Sequence, residues 1–425
     1  MGAASVKAAK GMKDVLPTGV EEHFLTGFWD KIIQVSTSVL EGHGFRRVLL
    51  PAVEETRLFA RGIGEDTDIV GKEMFTFERS GDSLTLRPEG TAGAVRAFIE
   101  HNLDRIDPVQ RWWYFGPMFR AERPQADRYR QFYQIGAEFF GVASPYADVE
   151  LLLLLYQWCQ KLGLDSVQVG INTVGDDESR KAYRDRLQAH WQAHQGELCD
   201  NCKRRMHTNP LRVLDCKADL ASEALKTAPD IMEVLSDASR KHFEVVISEL
   251  EALEVPHERD PRLVRGLDYY TGTVFELTAK GLGAQNAILG GGRYDNLVED
   301  LGGSPVPAIG FAAGVERIAR VLAQQKTRHP GPDLYIMPMP GAHRRALQLA
   351  DEVRSFGMQV EVDVSEGRLK KQMKRADRQN AKAALVLGED ELVNGRAKLK
   401  YLDKSVENDV ELHGKAICLA LKEMV

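Results

Sequence analysis

The stretches of this chain that could do chemistry are short and rich in arginine, carboxylates, tyrosine and glycine. Phe119-Arg120-Ala121-Glu122 closes one predicted strand, with Arg120 and Glu122 on one face. A guanidinium fork there suits a phosphate or carboxylate, although a cross-strand ion pair is the commoner use of an isolated Arg-x-Glu. The next strand, Gln131 to Val142, alternates with period two, so Phe132, Gln134, Gly136, Glu138 and Phe140 share a face. A glycine between Gln134 and Glu138 would leave a gap with hydrogen-bonding walls, the floor of a small pocket. A solvated sheet face with a bulge at Gly136 is the plainer alternative. Arg265-Gly266-Leu267-Asp268-Tyr269-Tyr270-Thr271-Gly272 pairs two tyrosines between glycines, suited to a flat polar ligand or to a tight turn. Gly290-Gly291-Gly292-Arg293-Tyr294-Asp295 lets a ligand or a backbone approach closely. Glu89 and Thr91 open a helix after Thr85-Leu86-Arg87-Pro88, where they would face a ligand or merely cap.

None of these is a dinucleotide fingerprint or a P-loop. The nearest lookalike, Gly71-Lys72, has Asp66 at the first glycine position and Glu73 where a hydroxyl is required. If the chain uses ATP, it does so without those loops.

Two further clusters lie outside that set. Arg368, Lys371, Arg375, Arg378 and Lys382 recur at helical spacing, opposite Leu369, Met373 and Ala376. A solvated amphipathic face is the bland account and a surface for RNA phosphates the sharp one. Cys199-x-x-Cys202 with Cys216 is part of a zinc pattern whose fourth ligand would have to be His194 or His207. One CxxC alone is weak evidence, and no metal held by the protein itself is expected. Cys159 and Cys418 read as small buried residues.

The elements that must position these groups follow from periodicity. Phe24, Phe28, Ile32, Val35 and Val39 mark a helix with Glu21 and Glu22 in its first turn, ended by Gly42 and Gly44. A strand runs from Phe45 to Leu50 and stops at Pro51. Helices follow Gly90 and span about Tyr146 to Lys161. Val109–Arg120 and Arg130–Val142 form a hairpin around Arg123-Pro124-Gln125-Ala126-Asp127-Arg128. Residues from about 176 to 260 are charged and helix-prone, a helical insertion. Residues 329–332 (His-Pro-Gly-Pro) are a linker. Residues 333–425 alternate strand and helix, ending in strand Arg396–Leu402 and helix Val410–Glu423, and make a separate α/β domain.

The composition is that of a globular chain: 425 residues, 43% hydrophobic, 28% charged, net charge -6. The core is too apolar for disorder, and no uncharged run approaches the ~20 residues of a membrane span. The first ten residues lack a signal-peptide core, and Val6 spoils a myristoylation motif. Five cysteines form no disulfide framework, so the cytoplasm is the expected compartment.

Taken together, these stretches resemble the histidyl-tRNA synthetases, a bacterial class IIa aminoacyl-tRNA synthetase family, over nearly the whole chain. Gly44-Phe45 to Pro51 with Glu54 resembles class motif 1, the dimer strand. Phe119 to Phe132 resembles motif 2, and Gly310 to Arg317 resembles motif 3. Arg265–Gly272 and Gly290–Asp295 resemble the histidine-specific signatures.

The resemblance implies an α+β catalytic domain on an antiparallel sheet (residues 1–328, with the insertion) and a C-terminal anticodon-binding domain (333–425). It implies that the chain activates L-histidine with ATP to histidyl-adenylate and pyrophosphate, then charges tRNA(His). It assigns Arg120 and Arg265 to catalysis. It assigns Glu89, Thr91, Arg120, Gln134, Glu138, Tyr269 and Tyr270 to histidine. ATP falls to Arg120, Glu122, Phe132 and Arg317, with Mg2+ held through the phosphates. Gln125, Arg368, Lys371 and Arg375 would meet tRNA, and the chain would be a homodimer without membrane contact.

Two rivals remain. A histidine-binding regulatory paralogue of ATP phosphoribosyltransferase would lack the anticodon domain and carry a degraded arginine signature. A class II synthetase for another amino acid would not need Glu138 with Tyr269-Tyr270.

Overall fold

Period-two alternation builds the strands and decides which side of the sheet each residue serves. In the computed structural model, which describes residues 6–64, 67, 69–122, 128–164, 167–279, 287–325, 331–402, 404 and 406–423, contacts divide the chain into Met1–Gln325 and Lys326–Val425. The first part holds β1 (Arg46–Arg47), β2 (Val53–Glu55), β3 (Phe75–Arg79), β4 (Asp82–Leu86), β5 (Gln110–Phe119) and β6 (Gln131–Phe140). It continues with β7 (Val167–Thr173), β8 (His257–Arg259), β9 (Thr271–Ala279), β10 (Ala287–Arg293) and β11 (Ala308–Gly314). Eight of them form one sheet in the order β1-β5-β6-β11-β10-β9-β7-β8, and β2-β4-β3 form a small separate sheet. The large sheet is antiparallel except where β1 joins β5 and β8 joins β7.

One face carries the core. Ile135, Ala137 and Phe139 of β6, Phe275 and Leu277 of β9, and Ile309, Phe311 and Ala313 of β11 pack under helices Thr26–Gly42, Pro145–Leu162, Asp237–Ala252 and Val315–Gln324. Pro145–Leu162 starts on the Ser144 cap and stops at Gly163, whose φ of +85° suits glycine. The intervening residues of the same strands face the other way and are left for the site.

Four expectations need correction. Glu21 and Glu22 precede the first long helix, and Glu22 opens the 3-10 turn Glu22–Phe24 instead. The motif 1 strand shrinks to β1, because this edge pairs on one side only, with β5; the Val48 N–H adds one more bond to Trp113 O. The insertion's own core spans Tyr183 to Leu235, whereas Phe243, Val246 and Leu250 of helix Asp237–Ala252 belong to the main core. In the second part, β12 (Leu334–Pro338), β13 (Val360–Val362), β14 (Ala383–Leu387), β15 (Arg396–Tyr401) and β16 (Val406–Glu411) lie in the order β13-β12-β14-β15-β16. The stretch expected to begin a helix at Val410 is the end of strand β16. The final helix is Gly414–Lys422, capped by the His413 ring.

Candidate active site

The site lies on the sheet face away from the main core. Arg120, Phe132, Gln134, Arg265, Tyr269 and Arg317 line one cavity, together with Glu89, Thr91, Glu122 and Tyr270. Arg120 follows β5, while the Arg265 guanidinium lies flat on β10 at Gly290, where a Cβ would overlap it. Three strand spacings separate those strands, about 14 Å. Two cations thus flank a cleft floored by glycine and alanine.

Each cation has a partial partner. Arg265 pairs with Glu276 at 2.8 Å. Burial works against its charge, but Tyr270 and Glu276 more than offset that and raise its pKa. Its Nε is buried with no hydrogen-bond partner. Arg120 donates through Nε to Pro88 O at 3.0 Å and stands 5.1 Å from the Phe132 ring centroid. Glu122 pairs with Arg128 at 2.7 Å, an ion pair beyond the ends of both strands of the hairpin. Arg317 donates to Ala287 O at 2.9 Å. Gln125 lies outside the described residues.

Glu89 both caps and lines. Its carboxylate accepts the N–H groups of Thr91 and Ala92 at the start of helix Thr91–Glu100. Burial nevertheless raises its pKa.

The gap expected at Gly136 is filled. The hairpin register sets Tyr114 opposite Gly136, and the tyrosine ring occupies the space a side chain would take. Glu138 consequently sits behind the wall. It is fully buried and accepts hydrogen bonds from Thr91 Oγ1 and Tyr114 Oη, both at 2.9 Å, and from Tyr294 Oη. Tyr269 lies 5.7 Å from Tyr294 and 4.8 Å from Tyr270 between ring centroids. Gln134 is buried, and its Oε1 has no partner. Tyr114, Tyr294 and Glu276 were missed by sequence reasoning; a tyrosine opposite a strand glycine was the available signal for the first. Arg293, inside the glycine-rich signature, does not line this cavity.

A family model described as Histidyl-tRNA synthetase matches residues 11–318, and one described as Anticodon binding domain matches residues 333–414. The chain belongs to the histidyl-tRNA synthetase family. It is 48% identical over 412 residues to a histidine–tRNA ligase of Anaeromyxobacter sp. (strain K), covering 96% of this chain and 97% of that protein. It is 43% identical to the histidine–tRNA ligase of Syntrophotalea carbinolica, at the same coverage. Apo S. aureus histidyl-tRNA synthetase superposes with a TM-score of 0.73 at 34% identity, over 98% of this chain and 100% of that one. The chain is accordingly a histidine–tRNA ligase of the class II fold, and the regulatory alternative falls.

In the synthetase's tail, helix Leu369–Arg378 does not present its basic stripe evenly. Arg368 and Lys371 are exposed, whereas Arg375 pairs at 2.7 Å with the buried Asp363. Leu369, expected inward, is 39% exposed, and Gln372 takes the buried position by donating to Pro338 O and Gly367 O. Pro338 O, at the end of β12, and Gly367 O are acceptors there that an apolar side chain would leave unpaired.

Glu138 gives the synthetase a pH signature. Burial outweighs the three hydroxyls and pushes its carboxyl from 4.5 up to about 8. Between those values the folded state keeps a proton that the unfolded chain has lost. Stability from this group is therefore full below pH 4.5 and declines as pH rises towards 8, by up to about 1.4 kcal/mol per unit. Urea unfolding of wild type and Glu138→Gln across that window should show the wild type losing ground as pH rises. Parallel curves would mean that Glu138 is ionised throughout and that the hydroxyls dominate.

Proposed function

We propose that this cavity is where the ligase joins histidine to AMP, with the α-phosphate between Arg120 and Arg265. The observation that carries the reading is a pair of buried, unpartnered polar atoms in one cavity: Gln134 Oε1, which calls for a donor, and Arg265 Nε, which calls for an anion. Histidine brings an ammonium and an imidazole N–H, and ATP brings the phosphate.

Histidine would sit against Gln134, Tyr269, Tyr270, Glu89 and Thr91. Glu138 would act by fixing the hydroxyls of Thr91 and Tyr294, since it lies behind the wall and does not itself line the cavity. Phe132 would stack on adenine once Arg120 turns to the phosphate. Glu122 would read the adenine amino group, and Arg317 would hold the γ-phosphate.

The histidine carboxylate attacks the α-phosphorus, the bond to pyrophosphate breaks, and the histidyl group later passes to a tRNA ribose hydroxyl, releasing AMP. The protein needs no nucleophile. It holds the reactants in line and meets the charge growing on the phosphate.

Mg2+ would arrive on the triphosphate. Among the described residues the cavity shows no cluster of three ion-binding side chains; its carboxylates, Glu89, Glu122, Glu276 and Glu316, stand apart from one another. Arg368 and Lys371, with Arg375 half committed to Asp363, would meet the tRNA, as would Gln125.

A homodimer through β1 is supported by its place at the outer edge of the large sheet and by Leu49, 81% exposed just beyond it in the chain. The cytoplasm suits its five free thiols, and no helix among the described residues is long and apolar enough to cross a membrane.

Histidine-dependent ATP–pyrophosphate exchange tests the site, and sedimentation tests the dimer. Exchange that requires histidine and Mg2+, from a species of twice the chain mass, is the expected result. Exchange with another amino acid in place of histidine would overturn the pocket assignment, and a monomer with full exchange would overturn the dimer.

A further inference from the structure

The insertion gathers a second constellation, away from the cavity. Cys199, Cys202, Cys216 and Asp219 each offer one ligand atom, and the four atoms lie within 4.8 Å of one another. Neither histidine expected as the fourth ligand belongs to the group; His194 Nδ1 instead lies 3.0 Å from His190 O. The carboxylate of Asp219 takes that place.

From this geometry we propose that Cys199, Cys202, Cys216 and Asp219 hold one structural Zn2+. Around a tetrahedral zinc with Zn–S of about 2.3 Å, neighbouring sulfurs stand about 3.8 Å apart. Cys199 Sγ and Cys216 Sγ are 3.8 Å apart, far beyond the ~2.05 Å of a disulfide. The backbone converges the four groups. Cys199 caps helix Asp200–Thr208 and Cys202 lies in its first turn, so the CxxC spacing brings both thiols to one end. Cys216 follows the 3-10 turn Pro210–Val213 and is tied to it by its own N–H, which donates to Val213 O at 3.0 Å. Asp219 accepts the Cys199 N–H at 3.0 and 3.1 Å, which fixes the carboxylate and leaves it lone pairs to spare. Cys202, Cys216 and Asp219 are buried and Cys199 is half-buried, so the site is closed, as structural zinc sites are. Three soft thiolates with one carboxylate select a single zinc ion; an iron–sulfur cluster would ordinarily want four thiolates.

The ion has something to hold. Between the second and third ligands run Asn209, which donates to Asp268 Oδ1 at 2.8 Å, and Arg212, which donates to Arg265 O at 3.0 Å. The zinc knot therefore anchors the segment that braces the Arg265 loop. Asn209 and Arg212 are positioning residues for that loop.

The test is the metal content of the full-length protein, purified without chelator or affinity histidines. About one zinc per chain is expected, falling below about a tenth in Cys202→Ser and in Asp219→Asn. Should those variants fail to fold, the wild type decides. Titration with a mercurial should release one zinc, and the cobalt-substituted protein should show thiolate-to-cobalt charge transfer with tetrahedral visible bands. A wild type that carries no zinc, takes none up on dialysis and shows no cobalt–thiolate band overturns the proposal. So does a folded variant that keeps its zinc.

Discussion

Arg265→Ala is expected to lower histidine-dependent ATP–pyrophosphate exchange by about 10²–10³-fold, mainly in kcat, while the melting temperature stays within a few degrees of wild type. The side chain is long and partly exposed, its main partner is Glu276, and its removal leaves no cavity in the main core. What it supplies is a fixed cation whose Nε has no partner in the protein. Gly290→Ala is the sharper companion. Its new methyl would overlap the Arg265 guanidinium, the movable end of a flexible side chain, and would push it off β10. The expected loss is of the same order, with Arg265 still present. If Arg265→Ala retains exchange within about threefold of wild type, the α-phosphate does not lie against this arginine. If Gly290→Ala is fully active while Arg265→Ala is dead, the guanidinium acts from a different position from the one seen here.

Which residues share a face was readable from the chain; how deep they lie was not. Period two put Phe132, Gln134 and Glu138 on one side of β6, and they are there. Nothing local to β6 says that Glu138 stands behind the wall. That depends on the hairpin register, which sets Tyr114 across from Gly136, and on Tyr294 arriving from β10. Register and strand order are tertiary facts, as is the choice of Asp219 over a histidine beside the cysteines. Helices with strong caps and long apolar faces, such as Pro145–Leu162, were placed to within a residue or so. Short edge strands failed, because β1 and β16 owe their state to a neighbour and not to their own pattern. The tail helix shows the same limit. Its basic spacing was plain, but the commitment of Arg375 to buried Asp363 comes from a separate strand and turn.

Arg293 shows why membership of a signature does not fix a role. It follows three glycines in a stretch that resembles a histidine-specific signature. The structure instead turns it into the protein, with its side chain 2% exposed against a fully buried Asp148. Its Nη2 donates to Asp148 at 2.6 Å and to Ser144 O at 2.8 Å, and its Nη1 donates to Val142 O at 3.1 Å. Burial alone would raise the pKa of Asp148, but His242 and Arg293 together hold it below the usual range. The pair thus pins the start of helix Pro145–Leu162, which roofs the sheet, to the strand whose Gly290 seats Arg265. Arg293→Met should cost about 3–5 kcal/mol of unfolding free energy, because it leaves a buried carboxylate with His242 at 3.4 Å as its remaining partner and strands two carbonyls. Urea unfolding measures this, and exchange activity per folded molecule should change little. Removing the charge as well, in Arg293→Met with Asp148→Leu, should recover a good part of the loss, since two apolar groups need no partner. A stability loss under about 1 kcal/mol would mean that the pair contributes little. Full stability with lost exchange would place Arg293 among the ligand contacts after all.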